Sequence, residues 1–290
     1  MRELSLANEE ADAYHRSMSL PLPSDDATCL VTGASSGIGA DLARELGRRG
    51  HGVTLVARRE DRLNSLADEL RSAHRVRAEV LPADLSDASA RAGLLPAIEE
   101  RGLKVTLLVN NAGFGTTGPA HNADRRREIS MIRTDVEAVA DLCSLFLPGM
   151  LRNGRGAVLN VASTAAFQPL PGQAAYGACK AFVLSYSQAI RGELRGTGVT
   201  VTALCPGPVR TEFGGVAGFS DGEMDGSVPE FMWLSSAQVA RMAIEGLDRG
   251  KSVVVPGLAN RIAARLGYLT PREILLPIVA RRHPSLRRRR

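Results

Sequence analysis

The sequence predicts a doubly wound α/β domain, a parallel sheet of seven strands with helices on both faces. Two observations carry this. Short apolar runs alternate with longer amphipathic ones over about 230 residues. The short runs are apolar along their length, as strands covered on both faces should be. Composition agrees: aromatics are 4% of the 290 residues, and small and aliphatic residues dominate, which suits helix–sheet packing.

"TCLVTG" reads as the first strand, ending at Gly33. "GADLARELGRRG" follows as a helix, with Ile38, Leu42 and Leu46 at helical spacing and Gly50 as its stop. "GVTLVAR" is the second strand, and "EDRLNSLADELRSA" a helix with Leu63, Leu66 and Leu70 inside. "VRAEVLPADL" and "KVTLLVNNAG" are strands three and four. A helical pattern spans roughly 124–152, "GAVLNVAS" is strand five, and about 174–195 is helical. "VTVTALCPG" and "KSVVVPG" complete the set. Pro21, Pro23 and Asp25 mark a linker, so the reading is an N-terminal extension 1–26, one domain 27–256 and an amphipathic extension 257–290 with a basic tail.

The net charge of +5 is uneven: residues 271–290 carry seven Arg and one Glu, leaving the remainder at −1. The basic pI therefore does not argue for nucleic-acid binding; the tail suits an acidic surface such as phospholipid headgroups, or is a solvated end. Cys29, Cys143, Cys179 and Cys205 form no C-x-x-C pair and read as reduced packing residues, so a cytoplasmic protein with no metal site is expected. "ILLPIVA" is too short to span a bilayer.

Ligands of such sheets bind beyond the carboxyl ends of the strands, where Gly33, Asp84, Asn110, Ser163 and Pro206 fall. The turn "TGASSGIGADLA" places Gly33, Gly37 and Gly39 as G-x-x-x-G-x-G. Such a turn leaves the strand tightly and aims backbone N–H groups and a helix N-terminus at an anion. Ser35 and Ser36 add hydroxyls, and Gly39 permits close packing. The second strand ends in Arg58 and Arg59 rather than a carboxylate. An arginine fork matches a ribose 2′-phosphate, so NADP(H) is expected over NAD(H).

"YGACK" sets Tyr176 and Lys180 about one helical turn apart. Alone, the pair is an acid with its tuning charge, or a core aromatic beside a solvated ammonium. Thirteen residues upstream, Ser163 ends the fifth strand. "TGASSGIG", "NNAG" (110–113), Ser163, "YGACK" and "PGPVRT" (206–211) stand in the order and spacing of the classical short-chain dehydrogenase/reductases, which residues 27 to about 255 resemble. The resemblance implies a Rossmann-like fold and a carbonyl–alcohol interconversion on a nicotinamide. It makes Tyr176 the acid/base, Lys180 its electrostatic partner and ribose ligand, and Ser163 the holder of the substrate oxygen. It also places Ile38, Asp84, Leu85, Asn111, Ala112, Gly113, Tyr176, Pro206, Gly207, Val209 and Thr211 along the cofactor.

One position departs from the family pattern. "MIRTDVE" puts Asp135 where the family usually has an Asn that holds a relay water. Asp is a tolerated variant or a handicap to turnover; the second reading leaves a cofactor-binding regulator as the alternative function. A lyase or epimerase fits less well, because those relatives usually carry a larger C-terminal domain.

The flap 206–236 carries Phe213, Phe219, Met224, Phe231, Met232 and Trp233, which line a cleft for a lipophilic or acyl-chain carbonyl, or only anchor the flap. Phe114, Phe167, Pro169 and Leu170 are further candidates for the cleft wall. The resemblance also implies a homodimer or homotetramer through the helices near 124–152 and 176–195. Residues 257–282 could cover a neighbour, close the substrate cleft or rest on a membrane.

Overall fold

The structure, a computed structural model, describes residues 20–219, 228–282 and 286. Most of the N-terminal extension, flap residues 220–227 with Met224, and most of the basic tail lie outside the described residues.

Seven parallel strands form one sheet in the order β3-β2-β1-β4-β5-β6-β9. They are β1 (Ala27–Thr32), β2 (Val53–Ala57), β3 (Ala78–Pro82), β4 (Lys104–Asn110), β5 (Gly156–Val161), β6 (Val199–Leu204) and β9 (Val253–Val254). Strand order reverses between β1 and β4, which opens a crevice at their carboxyl ends.

The uniformly apolar strands are explained by two cores. Successive side chains of a strand point to opposite faces, so Val31, Leu107 and Leu159 enter one core while Leu30, Leu108 and Val158 enter the other. The first core is closed by α1 (Gly37–Arg48), α2 (Glu60–His74) and α9 (Ser236–Asp248), through Leu42, Leu46, Leu63, Leu70, Ile244 and Leu247. The second is closed by α6 (Ala138–Arg152) and α7 (Ala174–Glu193), through Leu142, Phe146 and Ile190. All four cysteines are buried and free.

Several short elements escaped the periodicity argument. They are α3 (Ala88–Ala92), α4 (Leu94–Glu99), α8 (Phe213–Ala217) and the parallel pair β7 (Val209–Arg210) and β8 (Leu234–Ser235). None is long enough to show a hydrophobic period. The helix expected at 124–152 is interrupted. α5 (Arg125–Ile132) passes into α6 through a π-helical turn, Arg133–Glu137. Beyond β9 come α10 (Leu258–Leu269) and α11 (Arg272–Arg282).

Candidate active site

A cavity of about 650 Å³ opens at the crevice. Of the residues expected to meet a dinucleotide, every one except Gly39 lines it: Gly33, Ser35, Ser36, Gly37, Ile38, Arg58, Arg59, Asp84, Leu85, Asn111, Ala112, Gly113, Tyr176, Lys180, Pro206, Gly207, Val209 and Thr211. Ser163 lines it too, and Asp135 stands behind its wall.

Gly39 packs the turn instead. A Cβ there would come within 2.4 Å of both the Gly33 carbonyl oxygen and the Asn111 amide nitrogen. That Asn111 amide donates to the carbonyl of Thr32 at 2.9 Å, which ties β4 to the glycine turn. Gly33 and Gly37 hold positive φ, +64° and +56°, where a side chain would be strained. Ser36, at the N-cap of α1, makes no side-chain cap. The first-turn N–H groups of α1 are therefore left toward the cavity, a cradle suited to a diphosphate.

Arg59 reaches over this cradle. Its guanidinium donates to the hydroxyls of Ser35 (3.1 Å) and Ser36 (2.7 Å) and to Glu212 (2.9 Å), and Arg62 also donates to Glu212 (2.7 Å). Arg62 and Arg59 hold the Glu212 carboxyl down at about 2. The two serines, read as phosphate donors, here accept from the arginine. Arg91 fixes the neighbouring loop: it is buried and donates to the Leu85 carbonyl (2.8 Å) and to Asp141 (2.5 Å) and Glu137 on the helix behind.

At the other end, β5 delivers Ser163 and α7 delivers Tyr176 and Lys180. The Lys180 ammonium lies 5.7 Å from the Tyr176 ring centre and donates to the Val161 carbonyl at 3.3 Å. Asp135 is wholly buried, and its Oδ2 pairs with Lys180 Nζ at 2.9 Å. Its Oδ1 accepts the Phe114 N–H at 3.0 Å. The π-helical turn widens the backbone at this residue, a feature often found at functional sites. Gly113 leaves room for the carboxylate; a Cβ there would sit 2.8 Å from Oδ2.

The charges are interdependent. Burial raises the Asp135 carboxyl above its ordinary value, and Lys180 and the Phe114 N–H offset only part of this. Burial alone would lower the Lys180 ammonium, but Asp135 and Tyr176 hold it above its usual range. The Tyr176 phenol is also raised, first by burial; Lys180 and Ser163 pull it down and Asp135 pushes it up.

The family model for short chain dehydrogenases matches residues 27–217. The chain belongs to the short-chain dehydrogenase family. That membership makes it an NAD(P)-dependent oxidoreductase. It is 39% identical over 186 residues to sulfoacetaldehyde reductase 2 of Chromohalobacter salexigens, covering 63% of this chain and 73% of the relative. It is 37% identical over 205 residues to the NADP-dependent 3-hydroxy acid dehydrogenase YdfG of Salmonella typhi, covering 69% and 80%. A short-chain dehydrogenase from Sphingobium yanoikuyae, solved in complex with NADPH, superposes with a TM-score of 0.74 at 35% identity, covering 87% of this chain and 95% of that one.

Within this dehydrogenase fold the flap residues separate. Phe213, Phe219 and Met232 line the cavity, with Phe114, Phe167 and Leu170 from the body. Phe213 stands 5.5 Å from the Tyr176 ring. Pro169 and Phe231 do not reach the cavity, and Trp233 packs under Arg210. Sequence reasoning missed Glu212, Gln173, and Ala263 and Ala264 of α10, all in the cavity wall. The acid directly after Thr211 was the one available signal; the alanines carried none.

A pH profile reads out Asp135 directly. Asp135→Asn removes a negative charge and leaves Lys180 in place, so the Tyr176 phenol falls. Alcohol oxidation needs the Tyr176 phenolate, so its rate rises with pH up to the phenol pKa. This rising limb should move to lower pH, with about tenfold faster oxidation on the limb for each unit of movement. An unmoved profile would show that Asp135 does not act on Tyr176.

Proposed function

We propose that the protein is an NADP(H)-dependent reductase of neutral, lipophilic carbonyl compounds, with Tyr176 as acid/base. One observation carries the reading: a single cavity joins the uncapped start of α1 and Arg59 at one end to Ser163, Tyr176 and Lys180 at the other. The cradle fits a dinucleotide, because Gly33 and Gly37 hold the positive φ of a tight turn and the uncapped first turn of α1 opens on the cavity. Gly33, Gly37, Ile38 and Thr211 would hold the diphosphate and nicotinamide, and Arg58 and Arg59 the 2′-phosphate. A bound nicotinamide supplies the hydride.

The chain's own residues handle the proton and the alignment. Ser163 donates to the substrate oxygen and keeps it beside the phenol. Tyr176 Oη delivers its proton to that oxygen as negative charge develops there. Lys180 stabilises the phenolate left behind, and Asp135 holds the ammonium in place. Phe213, Phe114, Phe167 and Leu170 exclude water from the reacting carbonyl.

The substrate class follows from the wall. Sulfoacetaldehyde and 3-hydroxy acids, named for the two relatives, carry an anionic group. Around the substrate end the described lining offers aromatics, aliphatics and the uncharged polar residues Thr164, Gln168 and Gln173, and no arginine or lysine beyond Lys180. An apolar ketone or acyl chain is favoured. Exposed Ile129, Ile132, Leu151 and Phe182 on α5, α6 and α7 support self-association through those helices, which sedimentation velocity reads directly.

The cofactor preference is tested at Arg59. Arg59→Ala removes charge-assisted bonds to a 2′-phosphate, so the KM for NADPH should rise about 10- to 100-fold while that for NADH stays put. A lower KM for NADH in the unaltered enzyme would overturn the preference. Tight NADPH binding with no oxidation across a broad ketone panel would favour a regulatory role instead.

A further inference from the structure

The helix α10 has two faces with different partners. Its inner face is anchored. Asn260 donates to the carbonyls of Met232 (3.0 Å) and Pro256 (3.1 Å), Gly267 packs on Gln168, and Ala264 reaches the cavity. Arg272 donates to the Gly267 carbonyl at 3.0 Å and fastens the start of α11.

The outer face is an apolar stripe. Leu258, Ile262, Leu266 and Leu269 repeat at helical spacing and are 69%, 54%, 60% and 64% exposed. Tyr268, Ile274, Leu276 and Ile278 are exposed in the same helical pair. These eight are more than half of the fifteen large exposed hydrophobics among the described residues. Single exposed aliphatics are ordinary, but a concentrated set on one surface marks an interaction site.

Charge identifies the occupant. Residues 257–290 hold nine arginines and one glutamate, a net of +8, while the rest of the chain carries −3. Arg261 and Arg265 are exposed beside Ile262 and Leu266; their stems can lie on the apolar stripe while the guanidinium groups reach outward. A second copy would bring +8 against +8. An anionic bilayer meets both the charge and the apolar stripe. No helix among the described residues is long and apolar enough to cross a membrane, so contact would be in the plane of the headgroups.

We propose that the outer face of α10 and α11, with Arg261 and Arg265 beside its apolar stripe, forms a docking surface for an anionic lipid bilayer. The cavity wall then lies on the reverse side of the docked helix. The test is flotation of the full chain with phosphatidylcholine vesicles, with and without phosphatidylglycerol. The chain should float with the anionic vesicles and at least about tenfold less with neutral ones. The I262D/L266D variant should lose at least about tenfold in binding, with its thermal melting unchanged. R261Q/R265Q, which keeps the stripe, should also bind less. Failure of the full chain to float with anionic vesicles overturns the proposal. So does equal flotation of I262D/L266D, which would assign the binding to tail charge alone. A dimer that I262D/L266D dissolves, without vesicle binding, would assign the stripe to a second copy. NADPH titration of the same proteins is independent of all these outcomes, so the docking surface and the proposed reaction can fail separately.

Discussion

Lys180→Met should destabilise the protein by about 3–5 kcal/mol and abolish turnover. Lys180 is buried, and its ammonium is the counter-charge to Asp135, which has no exposed surface. Without it the carboxylate keeps only the Phe114 N–H as a partner. A carboxyl already raised by burial then rises further. The sign of the pH dependence follows. A carboxyl whose folded pKa stands above its unfolded one costs stability above the unfolded value, and the cost fades as falling pH protonates the folded state. The melting deficit should therefore be largest at neutral pH and shrink in acid. Adding Asp135→Asn removes the orphaned charge. The double variant should regain most of the stability and none of the activity. Wild-type melting in Lys180→Met would contradict the buried pair; no rescue in the double variant would place the cost elsewhere.

Tyr176→Phe should lower turnover by about 10²- to 10⁴-fold, the usual range for a positioned general acid. The change removes one hydroxyl from a residue that is almost fully buried, beside Phe213 and Lys180, so the ring packing is kept. NADPH affinity should change little, because the cradle and Arg59 lie at the far end of the cavity. Turnover within about threefold of wild type would remove Tyr176 from the proton-transfer step.

Much of this site was legible because its parts are local. A strand, a glycine turn and a helix start lie within a dozen residues, and Tyr176 and Lys180 share one helical turn. The seven strands were legible from apolar runs alone, because both faces of the sheet are covered. What sequence could not show is contact across long separations. Glu212 meets Arg59 and Arg62 across about 150 residues, and no periodicity encodes that. Asp135 was visible as a departure from a motif. Its direct pairing with Lys180, made from within a π-helical turn, is a matter of packing rather than pattern. The flap is the weakest case. It has no period, so Phe213, which lines the cavity, and Phe231, which does not, read alike. The C-terminal extension had three readings; Ala263 and Ala264 on its inner side line the cavity, and its outer face carries the exposed apolar stripe.

The proposed activity is hydride transfer to a neutral apolar carbonyl. It is measured with NADPH carrying deuterium at both C4 positions of the dihydronicotinamide and a panel of hydrophobic ketones, with the alcohol product analysed by mass spectrometry. One deuterium should appear on the carbinol carbon, in wild type and, far more slowly, in Tyr176→Phe. Alcohol without the label, or no alcohol from any member of the panel while NADPH stays bound, would contradict it.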